Sequence, residues 1–405
     1  MNIFGHGMKP GAEDRFIVNI LRALTHSERA EAARRTFAGN DHLLDWKILV
    51  RRMSDEGVLF LFYYCIRQLH LGDLLPPEVL EMLSGRYCAN LRANLMAGAM
   101  LKPVFTALNR QGTPFILLKG IALAELVYPG FGSRGISDAD LLVKKEDMSR
   151  VDASLSALGY SPRDSSLNQA LDNPVGYLAS LDYRKSDGSL PNLHVHWHPV
   201  NTSVPAFMFA GHIDPSRLWE RALPAEVANA KVRILCPEHQ VIYLCEHALR
   251  INHAFDRLIL AYDIFYVVRA YEKQMDWEFI VEEARRFAVS KLVFLSLTVV
   301  RRYTDLALPD EVLRPFAPDG LTLGEKAFLA LELKNRRFRG SSMFVYLAMN
   351  RGLIEKGRFV FRTLFPPPHI LRQRRYAKDR DVGISLYLYR IWEVLSHPFR
   401  VWLHR

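Results

Sequence analysis

The feature that most constrains the fold is a change of hydrophobic period near residue 113. Residues 12–110 place apolar side chains three or four positions apart, as in "HLLDWKILVRRM" and "GVLFLFYYCIRQLHL", which predicts helices. Residues 113–200 instead contain short apolar runs between loops rich in Gly, Pro and Ser, which predicts strands. Helical spacing returns from Pro237 onward. This order predicts an α+β fold, with a small mixed sheet flanked by N-terminal and C-terminal helical regions.

The predicted sheet segment has the order β-α-β-α-β-β. "TPFILLKG" (113–120) is the first strand, "DADLLV" (138–143) the second, and residues 175–200 form two strands around the Asp187-Gly188 turn. We therefore predict four segments: an N-terminal helical region at 1–110, the sheet core at 111–200, a helical domain at 201–333 and a basic, aromatic-rich helical segment at 334–405.

Several classes of protein are disfavoured by the composition. The N-terminus lacks the basic flank and apolar stretch of a signal peptide. The longest uncharged apolar run, at 292–300, has about half the length needed to span a bilayer. The four cysteines form no C-x-x-C pair, which disfavours a zinc knuckle or a redox motif. We expect a cytoplasmic protein with reduced thiols and no transmembrane segment.

The net charge of +10 is concentrated at the C-terminus. Residues 334–405 contain 16 Lys and Arg against 4 Asp and Glu, whereas residues 1–333 contain 37 and 39. Aromatic side chains are interleaved with these basic residues. This segment predicts an anionic partner, which could be a phosphorylated substrate, a nucleic acid or a membrane surface, the last implying peripheral association. A solvated basic face with no partner is the plainer interpretation.

Two carboxylates stand at the start of the second strand, at Asp138 and Asp140. Residues two apart on a strand point to the same face, so the pair offers two oxygen ligands suited to Mg²⁺. The first strand ends at Lys119-Gly120, directly before a helix, where a phosphate can approach closely. A phosphate site at Lys119-Gly120 and a metal-binding pair at Asp138 and Asp140 together indicate nucleotidyl transfer.

The run "FILLKGIALAELVY…R…SDADLLV…LSALGY" resembles the uncharacterised bacterial nucleotidyltransferase family, which has the DNA polymerase beta-like fold. The matching positions are Lys119, Gly120, Tyr128, Arg134, Ser137, Asp138, Asp140, Gly159 and Tyr160. The resemblance implies an enzyme that moves a nucleoside monophosphate from a nucleoside triphosphate (NTP) to an unknown acceptor, with Mg²⁺ or Mn²⁺. It implies that Asp138 and Asp140 are catalytic metal ligands. The nucleotide-binding residues that it implies are Lys119, Gly120, Arg134 and Ser137.

One position departs from the family pattern. The third acid of the family usually lies two residues before the His of a His-Trp pair, and His194 occupies that position here. A histidine can act as a base near neutral pH or bind a softer metal, but it adds no negative charge. We therefore expect either His194-dependent catalysis or a nucleotide-binding or partner-binding module with weakened activity. Asp182 or Asp187 could compensate for the missing acid.

Other residues leave alternatives open. His194, His196 and His198 alternate along one strand, which allows a histidine-ligated metallohydrolase as a less favoured prediction. His247 and His253 are six residues apart, which does not place them on one helical face, and they are interpreted as packing or substrate-pocket residues. Asp263, a lone acid in an apolar helix, is expected either to have a basic partner from the N-terminal helices, which we favour, or to be part of the acceptor pocket.

Overall fold

The computed structural model describes residues 12–23, 31, 34–35, 44–163, 167, 171, 180–189, 191–200, 209–250, 253, 255–317, 320–333, 342–349, 352–366, 368, 371 and 383–403. Within these residues the α-helices are Ala12–Ala23 (α1), Trp46–Asp55 (α2), Leu59–Gln68 (α3), Pro77–Arg110 (α4), Ile121–Leu126 (α5), Met148–Ala157 (α6), Pro215–Glu220 (α7), Pro237–Leu249 (α8), Ile259–Ala270 (α9), Trp277–Arg286 (α10), Ser290–Tyr303 (α11), Asp310–Leu313 (α12), Leu323–Leu333 (α13), Ser342–Met349 (α14), Gly352–Leu364 (α15) and Ile384–Leu403 (α16). The strands are Phe115–Leu117 (β1), Asp138–Val143 (β2), Tyr160–Pro162 (β3), Ser180–Lys185 (β4), Asn192–His196 (β5), Leu223–Val227 (β6) and Ala230–Ile234 (β7).

The seven strands form one mixed sheet in the order β3-β4-β5-β2-β1-β7-β6. Strand β2 is central, parallel to β5 on one side and antiparallel to β1 on the other. Strands β3 and β4 extend the sheet beyond β5, and the β6–β7 hairpin extends it beyond β1. The α+β architecture predicted from the sequence, with a small mixed sheet and helical regions on both sides in sequence, is confirmed.

Alternation along the strands divides the sheet into two faces with separate cores. One face, with Leu141, Val143 and Val195, packs against α4 and α6. The other face, with Ile116 and Leu142, joins a larger apolar cluster made with the helices that precede and follow the sheet. Asp138 and Asp140 alternate in phase with Leu142, so they belong to this second face.

The larger apolar cluster contains side chains from Phe16 to Phe359. Packing therefore crosses the predicted boundaries at 110, 200 and 333. The four segments remain a proposed division of the sequence. Part of the predicted strand at 175–200 and parts of segment 334–405 lie outside the described residues. No helix within the described residues is long and apolar enough to cross a membrane.

The β6–β7 hairpin is a difference from the sequence analysis, which assigned residues 201–333 to helices. Its turn residues, Ala228 and Asn229, both have positive φ, at +53° and +52°. That geometry is typical of a type I′ turn, which usually carries Asn-Gly. The missing glycine weakens the hairpin signal, and the backbone strain is compensated by five residue pairs across the two strands.

Candidate active site

Three adjacent strands bring five polar side chains to one face of the sheet. In the register, Asp140 lies opposite His194 on the parallel strand β5, and His194 lies opposite Asp182 on the antiparallel strand β4. Strand alternation adds Asp138 and His196 to the same face. We call Asp138, Asp140, Asp182, His194 and His196 the Asp/His cluster.

Asp140 is the buried centre of the Asp/His cluster, with 2% of its surface exposed. Its Oδ2 lies 2.7 Å from Nζ of Lys119, and its Oδ1 lies 3.1 Å from Nε2 of His196. Burial alone would raise the pKa of Asp140, but the Lys119 charge and the two histidines outweigh it and hold the pKa well below its usual range. Asp140 is therefore a carboxylate at neutral pH.

His194 lies between the carboxylates. Its Nδ1 is 3.6 Å from Oδ2 of Asp138 and 3.6 Å from Oδ1 of Asp140, while its Nε2 is 3.6 Å from Oδ1 of Asp182. Burial lowers the pKa of His194, but interaction with Asp140, followed by the charges of Asp182 and Asp138, gives a net rise. A carboxylate next to one ring nitrogen of a histidine favours the tautomer with the proton on that nitrogen. The other ring nitrogen is then free of a proton and can bind a metal ion or act as a base.

The structure distinguishes the two acids that the sequence analysis named as compensating for the third carboxylate. Asp182 faces His194 within the cluster. Asp187 lies on the exposed β4–β5 turn, where its carboxylate accepts hydrogen bonds from the main-chain N–H (2.8 Å) and the hydroxyl (2.5 Å) of Ser189. Of these two acids, Asp182 is the one that lies next to His194 and can add negative charge there.

Lys119 and Gly120 follow β1 and border the cluster. The main chain is held by a hydrogen bond from N–H of Leu118 to the carbonyl of Asp140, at 3.0 Å. Gly120 has φ +69°, and a Cβ there would lie 2.8 Å from the carbonyl oxygen of Asp138. Glycine is therefore required for the conformation and for the close approach. Burial would lower the pKa of Lys119, but Asp140 and Asp138 raise it, so the ammonium stays charged.

Arg134 and Ser137 lie in the loop before β2. Ser137 Oγ donates to Oδ1 of Asp138 at 3.1 Å. Arg134 donates twice to Asp263, through Nε at 2.7 Å and a second nitrogen at 2.8 Å, and Tyr128 donates to the same carboxylate at 2.7 Å. The basic partner expected for Asp263 therefore exists, but it comes from this loop and not from the N-terminal helices.

Two asparagines of α4, which are not among the residues predicted from the sequence, hold the same loop. Asn94, fully buried, donates to the carbonyls of Phe131 (2.6 Å) and Arg134 (2.8 Å), and Asn90 donates to that of Gly132 (2.9 Å). Their spacing of four residues, which places both on one face of α4, was the available signal. Together with Arg134 and Asp263, they fix the entry into β2 from both sides.

Helix α8 lies near the site. Tyr243 and His247, both buried, interact electrostatically with Lys119 and Asp140. Burial lowers the pKa of His247 well below its usual value, so this histidine is neutral. The His247 and His253 rings are 4.6 Å apart, although the sequence spacing argued against a shared helical face. The reason is that α8 ends at Leu249, and the N–H of His253 donates to the carbonyl of Arg250 at 2.8 Å, outside the helix.

The donor set of the cluster fits a divalent metal ion. Ligand atoms of Asp140, His194 and His196 lie within 4.8 Å of one another. Ligands sharing one ion at about 2.1 Å are separated by about 3.0 to 3.4 Å, close to the 3.1 and 3.6 Å separations here. Two imidazoles with carboxylate favour Mn²⁺ or Zn²⁺ over Mg²⁺.

His198, the third histidine of the alternating series, lies apart from this group. It follows the end of β5, and its ring nitrogens lie 3.3 Å from the carbonyl of Val200 and 3.2 Å from that of Ile213. Asp140, not His198, completes the metal-binding geometry with His194 and His196.

Comparison with known proteins adds a family assignment to this geometry. No curated protein and no solved structure matches the chain significantly. A family model described as uncharacterised nucleotidyltransferase matches residues 42–305, well over half of the chain. The match includes the whole Asp/His cluster, Lys119 and Gly120, and the Arg134–Asp263 pair. The chain belongs to the uncharacterised nucleotidyltransferase family.

Proposed function

We propose that the protein transfers a nucleoside monophosphate from an NTP to an acceptor, in a reaction that depends on a divalent metal ion. The observation that carries the proposal is the Asp/His cluster bordered by Lys119, in a chain of a nucleotidyltransferase family. The acceptor hydroxyl would attack the α-phosphorus, pyrophosphate would leave, and the hydroxyl proton would be released.

Asp138, Asp140, His194 and His196 would hold the metal ion. When bound, such an ion neutralises charge on the phosphates and orients them for in-line displacement. Asp140 and His196 are buried and define the inner side of the site. Asp138 and Asp182 are more exposed, at 27% and 41% of their side chains, which makes their edge the side from which an acceptor would approach.

Lys119 and Gly120 are assigned to the triphosphate. The Lys119 ammonium is charged and adjoins both aspartates, at 2.7 and 3.9 Å. Gly120 follows Lys119 after β1, and the lack of a side chain there is proposed to let a phosphate oxygen approach the main chain. Arg134 is engaged by Asp263, so its role in nucleotide binding is proposed to be indirect, through the position of the loop that carries Ser137.

His194 is proposed to replace the third acid as a metal ligand, with Asp182 orienting its ring. This arrangement supplies a nitrogen donor in place of an anionic oxygen, so the site should prefer Mn²⁺ to Mg²⁺. His194→Asp should raise activity with Mg²⁺ relative to Mn²⁺, because it restores the oxygen ligand that Mg²⁺ prefers. His194→Ala should lower activity with both ions.

The experiment is a transfer assay with each α-labelled NTP, Mg²⁺ or Mn²⁺ and candidate acceptors such as sugars, lipid-linked saccharides, proteins and tRNA. Label should move from the NTP to one acceptor class, with pyrophosphate released. Asp187→Asn, on the exposed turn, is the matched control and should transfer like the wild type. Absence of label transfer with metal-dependent NTP binding would instead support the alternative of a nucleotide-binding module.

The Asp140–His194–His196 geometry also supports a second candidate, a metal-dependent hydrolase. Two histidines and one carboxylate are a donor set used by hydrolytic zinc sites. Zinc-dependent release of free nucleoside monophosphate, with no acceptor requirement, would favour this reaction over transfer.

A further inference from the structure

The last helices of the chain expose a concentrated apolar surface. Nine of the fifteen exposed large apolar side chains in the described residues fall between positions 353 and 392. They are Leu353, Ile354, Val360 and Phe361 on α15, Phe365 just after it, and Ile384, Leu388, Tyr389 and Trp392 on α16. Their exposed fractions range from 37% to 88%. We call these nine residues the C-terminal apolar surface. A cluster of this kind marks an interaction site, unlike scattered exposed residues.

The apolar side chains form stripes that face away from the protein. On α15, positions 353, 354, 360 and 361 share one helical face, and the buried Phe359 lies on the opposite face. On α16, positions 384, 388 and 392 form one stripe, and the buried Leu386 lies on the other side. Each helix is thus anchored by one face and presents a second apolar face to solvent.

Contacts between the two helices join these stripes into one surface. The Phe361 and Phe365 rings are 5.1 Å apart, and the Phe365 and Tyr387 rings are 6.1 Å apart. Arg390 donates to the carbonyl of Thr363 at 3.2 Å, which fixes α16 against α15. The surface is therefore a built feature with a defined geometry.

The charge of the region complements an anionic surface. Residues 334–405 hold 16 basic against 4 acidic side chains. On α15, Lys356 and Arg358 flank the apolar stripe on its two sides. Apolar and basic residues arranged in this way are typical of helices that lie in the interface of an anionic membrane.

Other occupants fit the surface less well. Nucleic acids bind basic residues and stack on aromatic rings, but the most exposed side chains here are the aliphatic Leu353, Ile354 and Ile384. A second copy of the chain would bring two strongly basic segments together, and like charges repel. We propose that the C-terminal apolar surface docks the protein on membranes containing anionic lipids. This proposal is independent of nucleotidyl transfer.

The test is cosedimentation of the full-length protein with phosphatidylcholine vesicles that contain about a quarter phosphatidylserine. We expect binding that weakens in high salt and on vesicles of phosphatidylcholine alone. The triple variant Ile354→Ser, Phe361→Ser, Trp392→Ser should bind at least about tenfold more weakly, because three inserted side chains are lost. The matched control, Leu95→Ser with Met96→Ser, changes two equally exposed residues of α4 and should bind like the wild type.

A second readout reports insertion directly. Brominated phosphatidylcholine in the vesicles should quench tryptophan fluorescence in the wild type, and Trp392→Phe should reduce that quenching. The proposal is overturned if the wild type does not bind anionic vesicles, or if the triple variant binds them as well as the wild type. It is also overturned if the triple variant instead loses oligonucleotide binding or converts a dimer to a monomer.

Discussion

Replacing Asp263 by Asn removes the negative charge that accompanies Arg134 in the protein interior, while the side chain keeps its shape. The two side chains are 3% and 11% exposed, so water screens the interaction little. Arg134 also donates to the carbonyls of Gly120 (3.4 Å) and Gly135 (3.2 Å), which keeps it in place once Asp263 is neutral. Removing one partner of a buried ion pair typically costs about 3 to 5 kcal/mol.

We expect Asp263→Asn to fall near the lower end of that range, about 3 kcal/mol, because the amide oxygen still accepts one hydrogen bond. Urea denaturation measures the free energy of unfolding. Asp310→Asn is the matched control, since Asp310 pairs with Arg301 at a similar distance of 2.9 Å but is 80% exposed. Its expected cost is at most about 1 kcal/mol. Equal costs for the two variants would refute the structural role assigned to Asp263.

Three further predictions concern the loop, the glycine turn and the buried histidines. Asn94→Ala should lower the free energy of unfolding, measured in urea, by about 1 to 3 kcal/mol, because two carbonyls of the loop lose their hydrogen-bond donor. A change below about 0.5 kcal/mol would contradict the role of Asn94 in holding the loop. Gly120→Ala should destabilise the protein by about 1 to 3 kcal/mol more than Gly188→Ala in the same assay. Both glycines have positive φ, but of the two only a Cβ at Gly120 would meet backbone atoms. Equal losses of stability in the two variants would exclude the steric argument. Burial lowers the pKa of four histidines, His196, His198, His239 and His247. The unfolded chain therefore binds more protons below about pH 6.5, and the free energy of unfolding should fall as pH is lowered through that value. The raised pKa of His194 acts in the opposite direction. Thermal denaturation should show a Tm that falls as the pH is lowered from 8 to about 5. The dependence of Tm on pH should be weaker in His247→Gln, which lacks one of the buried histidines. A Tm that rises on acidification would contradict the prediction.

The parts of the site that could be predicted from sequence depend on local rules. Asp138 and Asp140 share a sheet face because strand side chains alternate, and that rule needs only two residues. The close approach of His194 to this pair followed from the family resemblance, since the sequence alone does not show that β5 is parallel to β2. The sequence places Gly120 at the end of the first strand, where a phosphate can approach, but its contact with the Asp138 carbonyl depends on the β1–β2 register.

The parts that could not be predicted depend on contacts between distant segments. Arg134 and Asp263 are 129 residues apart, and several basic residues were equally available as partners. His247 and His253 meet because α8 ends between them, and helix ends are weakly encoded when no Gly or Pro marks them. The two apolar stripes of α15 and α16 are visible in sequence, but the pattern alone would place such stripes in the core.

The measurement that tests the central claim most directly is calorimetric titration of Mn²⁺·NTP and Mg²⁺·NTP into the wild type and the double variant Asp138→Asn, Asp140→Asn. Asn keeps the shape of both side chains and removes two charged ligands. We expect the double variant to bind more than tenfold more weakly, equivalent to more than about 1.4 kcal/mol, with Asp187→Asn unchanged. Unchanged affinity in a folded double variant would contradict the assignment of Asp138 and Asp140 to a metal–nucleotide site.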